Sequence, residues 1–146
     1  MLSNDESLTD IIGQCSEKYI ICGHTHSQGL VYDGEKKVIN AGAVGVPLKS
    51  PQKTQYLILE SVGKEWKSNY QSLEYDISNV IEDMHKSGLW DMSPYWCKIT
   101  EHLLYTGEIS HGTVLNLVMK LNEYKEPWYK IDPVYWEKAL LELGIM

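Results

Sequence analysis

Gly23-His24-Thr25-His26 is the segment of this sequence best equipped for chemistry. It follows directly on the apolar run Tyr19-Ile20-Ile21-Cys22, which reads as a short strand buried on both faces. In extended backbone, side chains two residues apart point to the same side, so an extended His24-Thr25-His26 would direct both imidazoles at one site. Glycine at position 23 lets the chain turn sharply and approach a ligand closely. Neutral imidazole is a common ligand of divalent transition metals. His24 and His26 are therefore the candidate metal ligands; by spacing alone, the alternative is a pair of polar loop histidines. Cys15, Cys22 and Cys97 form no C-x-x-C pair, so they supply neither a disulfide framework nor a thiolate zinc site. Cys22 reads as a small core residue. Asp83-Met84-His85 spells D-x-H but falls in a predicted helix, where residues two apart point about 200° from each other and do not converge on one metal. Asp83 and His85 read as a solvated helix face, and His102 and His111 as ordinary structural histidines.

The elements that must position these residues follow from local signals. Ser3-Asn4-Asp5-Glu6 is a capping stretch, and Leu8, Ile11, Ile12 and Cys15 follow at helical spacing, which predicts a helix within residues 1–17. After the histidine segment, Leu30-Val31-Tyr32 and Lys37-Val38-Ile39 flank a turn at Asp33-Gly34 and predict a hairpin. Residues 40–47 are rich in glycine and small side chains and read as a loop, and Tyr56-Leu57-Ile58-Leu59 and Ser72-Leu73-Glu74-Tyr75 complete a strand-rich first half. From residue 76 the pattern is helical. Asp76 or Ser78 caps a helix ending before Gly88, and Ser93-Pro94 starts one that ends near Gly107. Val114, Leu117, Val118 and Leu121 form a third apolar stripe; Asp132-Pro133 starts a last helix that Gly144 closes.

The 146 residues suffice for one domain with a real core. With 43% hydrophobic and 23% charged residues, the composition is that of a globular chain. Phe and Arg are both absent, so all thirteen cations are Lys against twenty acids. The net charge of −7 is spread over both halves, and neither offers the basic patch that a phosphate backbone requires. Nucleic acid is therefore not an expected partner. Arginine is the usual planar fork for phosphate, so a phosphorylated ligand must be neutralised by something else. No apolar run approaches the ~18–20 residues of a membrane span, and the N-terminus has no basic-then-apolar pattern. With the unpaired cysteines, these features predict a soluble cytoplasmic protein without a membrane partner.

The run from Tyr19 to His26, followed by Val38-Ile39-Asn40-Ala41-Gly42-Ala43-Val44-Gly45-Val46-Pro47, resembles the calcineurin-like metallophosphoesterases, most closely their small bacterial phosphodiesterase branch. In that family a strand delivers G-H-[TS]-H, a short hairpin follows, and an N-x-G-S-V-G-x-P loop ends the next strand. Ala43 stands where Ser is commoner. The resemblance extends over roughly residues 5–62, and it implies a two-metal hydrolytic site in which His24 binds one ion and His26 the other. Two ions ~3.5–4 Å apart can clamp the attacking and leaving oxygens of a phosphate, which removes the need for arginine. The glycines of the loop at residues 40–47 are expected to serve strand-end geometry rather than to cradle phosphate.

The family's earlier motifs, D-x-H, G-D-x-x-D and G-N-H-[DE], do not precede Gly23-His24-Thr25-His26 here, and no Gly-Asp or Gly-Asn dipeptide exists in the chain. The resemblance therefore implies an α/β fold consisting of the C-terminal half of a metallophosphoesterase α-β-β-α sandwich at residues 1–76. A helical tail at residues 77–146 is expected to pack on it. The implied function is the C-terminal segment of a dinuclear-metal phosphoesterase, inactive alone. The implied cofactor is a divalent ion, Mn2+ or another transition metal, bound at most weakly by this chain. The implied partners are a phosphorylated small molecule or nucleotide in the intact enzyme, and the missing N-terminal half. The alternative is a non-catalytic remnant acting as an oligomerisation or partner-binding module. Under either reading, loss of the neighbouring strands leaves sheet edges and an apolar face uncovered, which predicts a homodimer or poor solubility of the isolated chain. The tail holds nine of the fifteen aromatics, including Trp90, Trp96, Trp128 and Trp136, and reads as core packing or as a cap or dimer surface.

Overall fold

In the computed structural model the described residues are 12–146, so most of the predicted first helix, with its cap at residues 3–6, lies outside them. Residues 12–14 are helical. The Lys36 ammonium donates to the carbonyls of Ile12 at 2.8 Å and Cys15 at 2.7 Å, tying the end of this helix to the strand that follows the hairpin turn. The chain divides into two compact units, Met1–Pro47 with Lys53–Leu73, and Leu48–Gln52 with Glu74–Met146. Helices and strands together make the fold mixed α/β. Among the described residues, no helix is long and apolar enough to cross a membrane.

The first unit holds β1 (Tyr19–Cys22), β2 (Gly29–Asp33) and β3 (Lys36–Asn40) in the order β1-β3-β2. β2 and β3 form the expected antiparallel hairpin, with Leu30 opposite Ile39 and Val31 opposite Val38. Its turn sits one residue later than the sequence suggested, at Gly34 and Glu35, because Asp33 still pairs with Lys36. Gly34 supplies the left-handed φ of 59° that a two-residue hairpin turn demands. β1 pairs with β3 in parallel, Tyr19 opposite Lys37 and Cys22 opposite Asn40. The apolar run of β1 is not buried on both faces: Ile21 is 55% exposed and Cys22 is half-buried rather than core. Burial concentrates one strand inward, where Val38 and Ile39 lie flanked by β1 and β2. A second sheet pairs β4 (Lys53–Val62) with β5 (Glu65–Glu74) across Gly63 and Lys64. β4 runs past the segment recognised at residues 56–59 at both ends, and β5 starts seven residues before the one recognised at 72–75 and stops short of Tyr75, since the added residues are mostly polar and carry no apolar alternation.

The second unit contains α1 (Ile77–Lys86), α2 (Leu89–Met92), α3 (Pro94–Thr106), α4 (His111–Leu121), a 3₁₀ turn (Trp128–Lys130) and α5 (Pro133–Glu142). The cap residues act where the sequence put them at α1 and α5. Asp76 Oδ1 accepts from the Asn79 amide at 3.2 Å, and Asp132 Oδ1 from Val134 at 2.9 Å. Ser93 departs from expectation: its side chain makes no cap bond, and only its carbonyl accepts from the Cys97 amide. Gly107 ends α3 at φ 71°, with the backbone nitrogens of Ser50 and Pro51 2.9 Å from where a Cβ would stand. The Lys49 amide donates to the Gly107 carbonyl at 2.7 Å, which explains why Leu48–Gln52 belongs with the helices. Ile99, Val114, Val118, Ile131, Ala139 and Leu140 form the buried cluster of this unit. The stripe on α4 is read correctly at Val114 and Val118, which are fully buried, while Leu117 and Leu121 pack partly buried around them.

Candidate functional site

Parallel pairing of β1 with β3 sends their following segments out at the same end of the sheet, where the carboxyl ends of parallel strands gather ligands in α/β folds. The Ala41 amide extends the pairing by donating to the Cys22 carbonyl at 2.9 Å. The histidine segment thus runs beside the small-residue loop. It is not extended. The His26 amide donates back to the Gly23 carbonyl at 3.3 Å, closing a turn over residues 23–26 with His26 at a left-handed φ of 54°. The two-residue alternation that placed both imidazoles on one side therefore ends at Cys22, and a turn, not a strand, presents His24 and His26. His24 is exposed and His26 half-buried.

Asn40 joins the two segments. Its side chain is 0% exposed; Nδ2 donates to Thr25 Oγ1 at 2.7 Å, and Oδ1 accepts from the Gly42 amide at 3.0 Å. One buried amide thereby fixes the middle of the histidine turn and the start of the loop. Sequence reasoning passed over this residue as the first position of a loop. The available signal was an amide side chain placed directly before Ala-Gly-Ala, where a backbone in need of local partners is expected.

Behind this clamp the loop is held by two glutamines. Gln28 Nε2 donates to the carbonyls of Tyr56 at 2.9 Å and Gln71 at 3.1 Å, and stands 3.4 Å from that of Ala41. The Gln55 amide donates to the Ala43 carbonyl at 3.0 Å. Gly42 has φ 84°, and a Cβ there would stand 2.3 Å from Gln55 Oε1 and 2.8 Å from Gln28 Cγ. Only glycine meets both the backbone and the space requirement. Gln55 Oε1 itself is buried without a hydrogen-bond partner. Burial also raises the pKa of the Cys22 thiol, keeping it protonated beside the turn.

As metal donors the two imidazoles are chemically suitable, but a catalytic zinc site takes three protein ligands and a structural one four. Among the described residues, no group of three or more His, Cys, Asp and Glu side chains is placed to hold a metal ion. His24 and His26 by themselves offer two donors, fewer than either kind of zinc site takes. Of the other three histidines, His85 and His111 have ring partners elsewhere. His111 Nε2 lies 2.9 Å from Thr100 Oγ1, with the ring stacked on Trp96 at 3.8 Å. Thr100 Oγ1 already donates to the Trp96 carbonyl, so His111 Nε2–H is the donor in that pair. His85 is exposed on α1, as expected of Asp83 and His85, and its ring stacks on Trp90 at 4.5 Å. No protein-family model, curated protein or solved structure matches this chain to a significant degree.

Proposed function

We propose that the chain is the C-terminal segment of a dinuclear-metal-dependent phosphoesterase, in which His24 and His26 each serve one of two divalent ions. The reading rests on the resemblance of the two motifs. The observation that supports it best is the Asn40 clamp, which ties Thr25 of the first motif to Gly42 of the second. A buried side chain spent on registering two loops suits a site whose donors need fixed positions. In this reading the fold is the C-terminal half of the family's sandwich, and the substrate is a phosphorylated small molecule or nucleotide. Divalent ions supply charge neutralisation of the phosphate, which this arginine-free chain lacks in its side chains. The carboxylate-bearing motifs D-x-H, G-D-x-x-D and G-N-H-[DE] come from an N-terminal half, so this chain alone binds metal weakly and has no robust activity.

A Mn2+ titration followed by electron paramagnetic resonance tests the assignment. Weak, saturable binding is expected, and it disappears in the His24→Ala/His26→Ala double variant. Asn40→Ala, which frees the turn, weakens binding by about tenfold. Identical titrations of the parent and the double variant would remove both histidines from the site. Robust metal-dependent phosphatase activity of the 146-residue chain, lost in His26→Ala, would keep the ligands but overturn the claim that the donor set is partial.

A second reading, a non-catalytic module that self-associates, is favoured by one observation. Ile21 on the end strand β1 and Val44 in the adjoining loop are 55% and 70% exposed, an apolar surface suited to a second copy. Sedimentation then gives a dimer that Ile21→Lys dissociates, and a parent chain that is monomeric throughout would end this reading.

A further inference from the structure

We propose that the helical unit binds a small organic cation carrying a methylated ammonium group, in the aromatic cavity bounded by the start of α3, the 3₁₀ turn and α5. The cavity measures about 520 Å³, within the ~300–1,000 Å³ of small-molecule sites. Five of its lining side chains are aromatic: Tyr95, Trp96, Trp128, Tyr129 and Trp136. Trp128 and Tyr129 meet edge to face, at 5.8 Å and 89°, while Tyr95 and Trp136 stack in parallel at 6.1 Å and 6°. Rings set at right angles beside a parallel pair can offer π faces to one guest from more than one direction. Aromatic cages hold quaternary ammonium groups against ring faces of this kind.

The charge around the cavity favours a cation. No Lys or His lines it, and Arg is absent from the chain. The Tyr95 hydroxyl donates to Glu137 Oε1 at 3.1 Å. Burial first, then the hydrogen bond to Glu137 and the charges of Glu137 and Asp132, raise the pKa of that hydroxyl, so two carboxylates act on this part of the wall. Among the described residues, the lysines found over aromatic rings lie over Tyr19 and Tyr135, neither of which is in this wall. No lysine among the described residues thus lies over the five rings. Trp96 has the His111 ring stacked on one face, and Tyr95 and Trp136 stack on each other, which leaves Trp128 and Tyr129 as the rings open to a cation. Trp128 and Tyr129 remain 59% and 67% exposed, while Ile131 and Trp136 anchor the floor in the buried cluster of the unit. A wall with an anchored floor and exposed rims is organised to receive a guest before the guest arrives. The metal-binding reading of the other unit has no part in this argument, and either can fail without the other.

Choline titrated into the whole chain, followed by tryptophan fluorescence and calorimetry, tests the site. Saturable binding is expected, and 3,3-dimethylbutanol, the neutral isostere, binds at least about tenfold more weakly because it loses the cation–π attraction. Trp128→Ala and Tyr129→Ala, both at exposed positions, each weaken choline by about tenfold with unchanged thermal unfolding. Glu137→Gln weakens it by about threefold, and Trp66→Ala, in the other unit, leaves it unchanged. Equal binding of choline and its isostere would make the cavity a merely apolar one and overturn the proposal. So would an absence of saturable choline binding, a proline-rich peptide that binds where choline does not, or a trimethyl-lysine peptide that binds far more tightly than choline.

Discussion

In the helical unit Ile99, Val114, Val118, Ile131, Ala139 and Leu140 bury one another in a single apolar cluster, whereas in the described part of the strand-rich unit, beside the buried Ile12, Val38 and Ile39, polar side chains make many of the ties between elements. Gln28 reaches three carbonyls, Lys36 two, Asn40 a hydroxyl and an amide, and the Tyr70 hydroxyl donates to the Gly29 carbonyl at 2.6 Å. Glu65 accepts from Lys18, Tyr19 and Lys37 at once. The two modes have different consequences. Apolar burial is non-directional and strong in sum, so it stabilises a unit while leaving local geometry some latitude. Hydrogen bonds contribute only about 0.5–1.5 kcal/mol each, yet they fix direction and distance. The unit that carries the candidate metal ligands is the one that spends its side chains on geometry.

The largest expected effect comes from opening the apolar cluster. Leu140→Ala removes a fully buried side chain and destabilises the helical unit by about 2–5 kcal/mol. Trp66 is the only tryptophan of the strand-rich unit, and Trp90, Trp96, Trp128 and Trp136 all lie in the helical one. Variants retaining Trp66 alone or the other four therefore report each unit separately during urea unfolding. Leu140→Ala should shift the helical transition and leave the Trp66 transition in place. If both shift equally, the units unfold as one body and the contrast between them breaks down.

A smaller loss is expected in the strand-rich unit from Gly42→Ala, about 1–3 kcal/mol. The new Cβ meets Gln55 Oε1 at 2.3 Å on a backbone already at φ 84°. The Trp66 transition should move to lower urea while the helical one does not. A neutral result would mean that the loop relaxes without resistance and that the polar ties are not specific.

The smallest effect is electrostatic, and it is lost in acid. The Lys18 ammonium first, then the Tyr19 hydroxyl and the Lys37 ammonium, hold the Glu65 carboxyl at about 2, below its ordinary 4.5. A depressed folded pKa means that the contribution is complete above about pH 4.5 and is lost as pH falls from there toward 2. Glu65 is exposed, so solvent screens these pairs and the loss is gradual. An acid titration of Trp66 fluorescence should show stability falling in that window. Glu65→Gln should flatten the fall and lower stability at neutral pH; an unchanged profile would remove this cluster from the ties of the unit.

Helix limits were legible because their signals are local. Asp76, Pro94, Gly107 and Pro133 act through backbone geometry and hydrogen bonds within a few residues, so the sequence around them is enough. The hairpin of β2 and β3 was legible for the same reason, with its turn displaced by one residue. The lengths of β4 and β5 were not, because the residues that extend them are mostly polar and carry no apolar alternation. The exposure of Ile21 was also hidden, since an apolar run records what a strand can bury and not what covers it. At the candidate site, His24 and His26 stood out by residue type, while the turn that presents them and the buried Asn40 behind it did not.

By itself the sequence determined the order and kind of most elements, the acidic arginine-free surface chemistry, and the two imidazoles available as metal donors. Only the tertiary structure decided that Cys22 pairs with Asn40, that Thr25 and Gly42 share one buried amide, and that five rings from distant segments line a single cavity. The physical reason is sequence separation. Capping, turn formation and amphipathic periodicity act over a few residues. Strand pairing across 18 positions and a cavity wall spanning residues 95 to 136 depend on which long-range contacts lower the free energy of the whole chain.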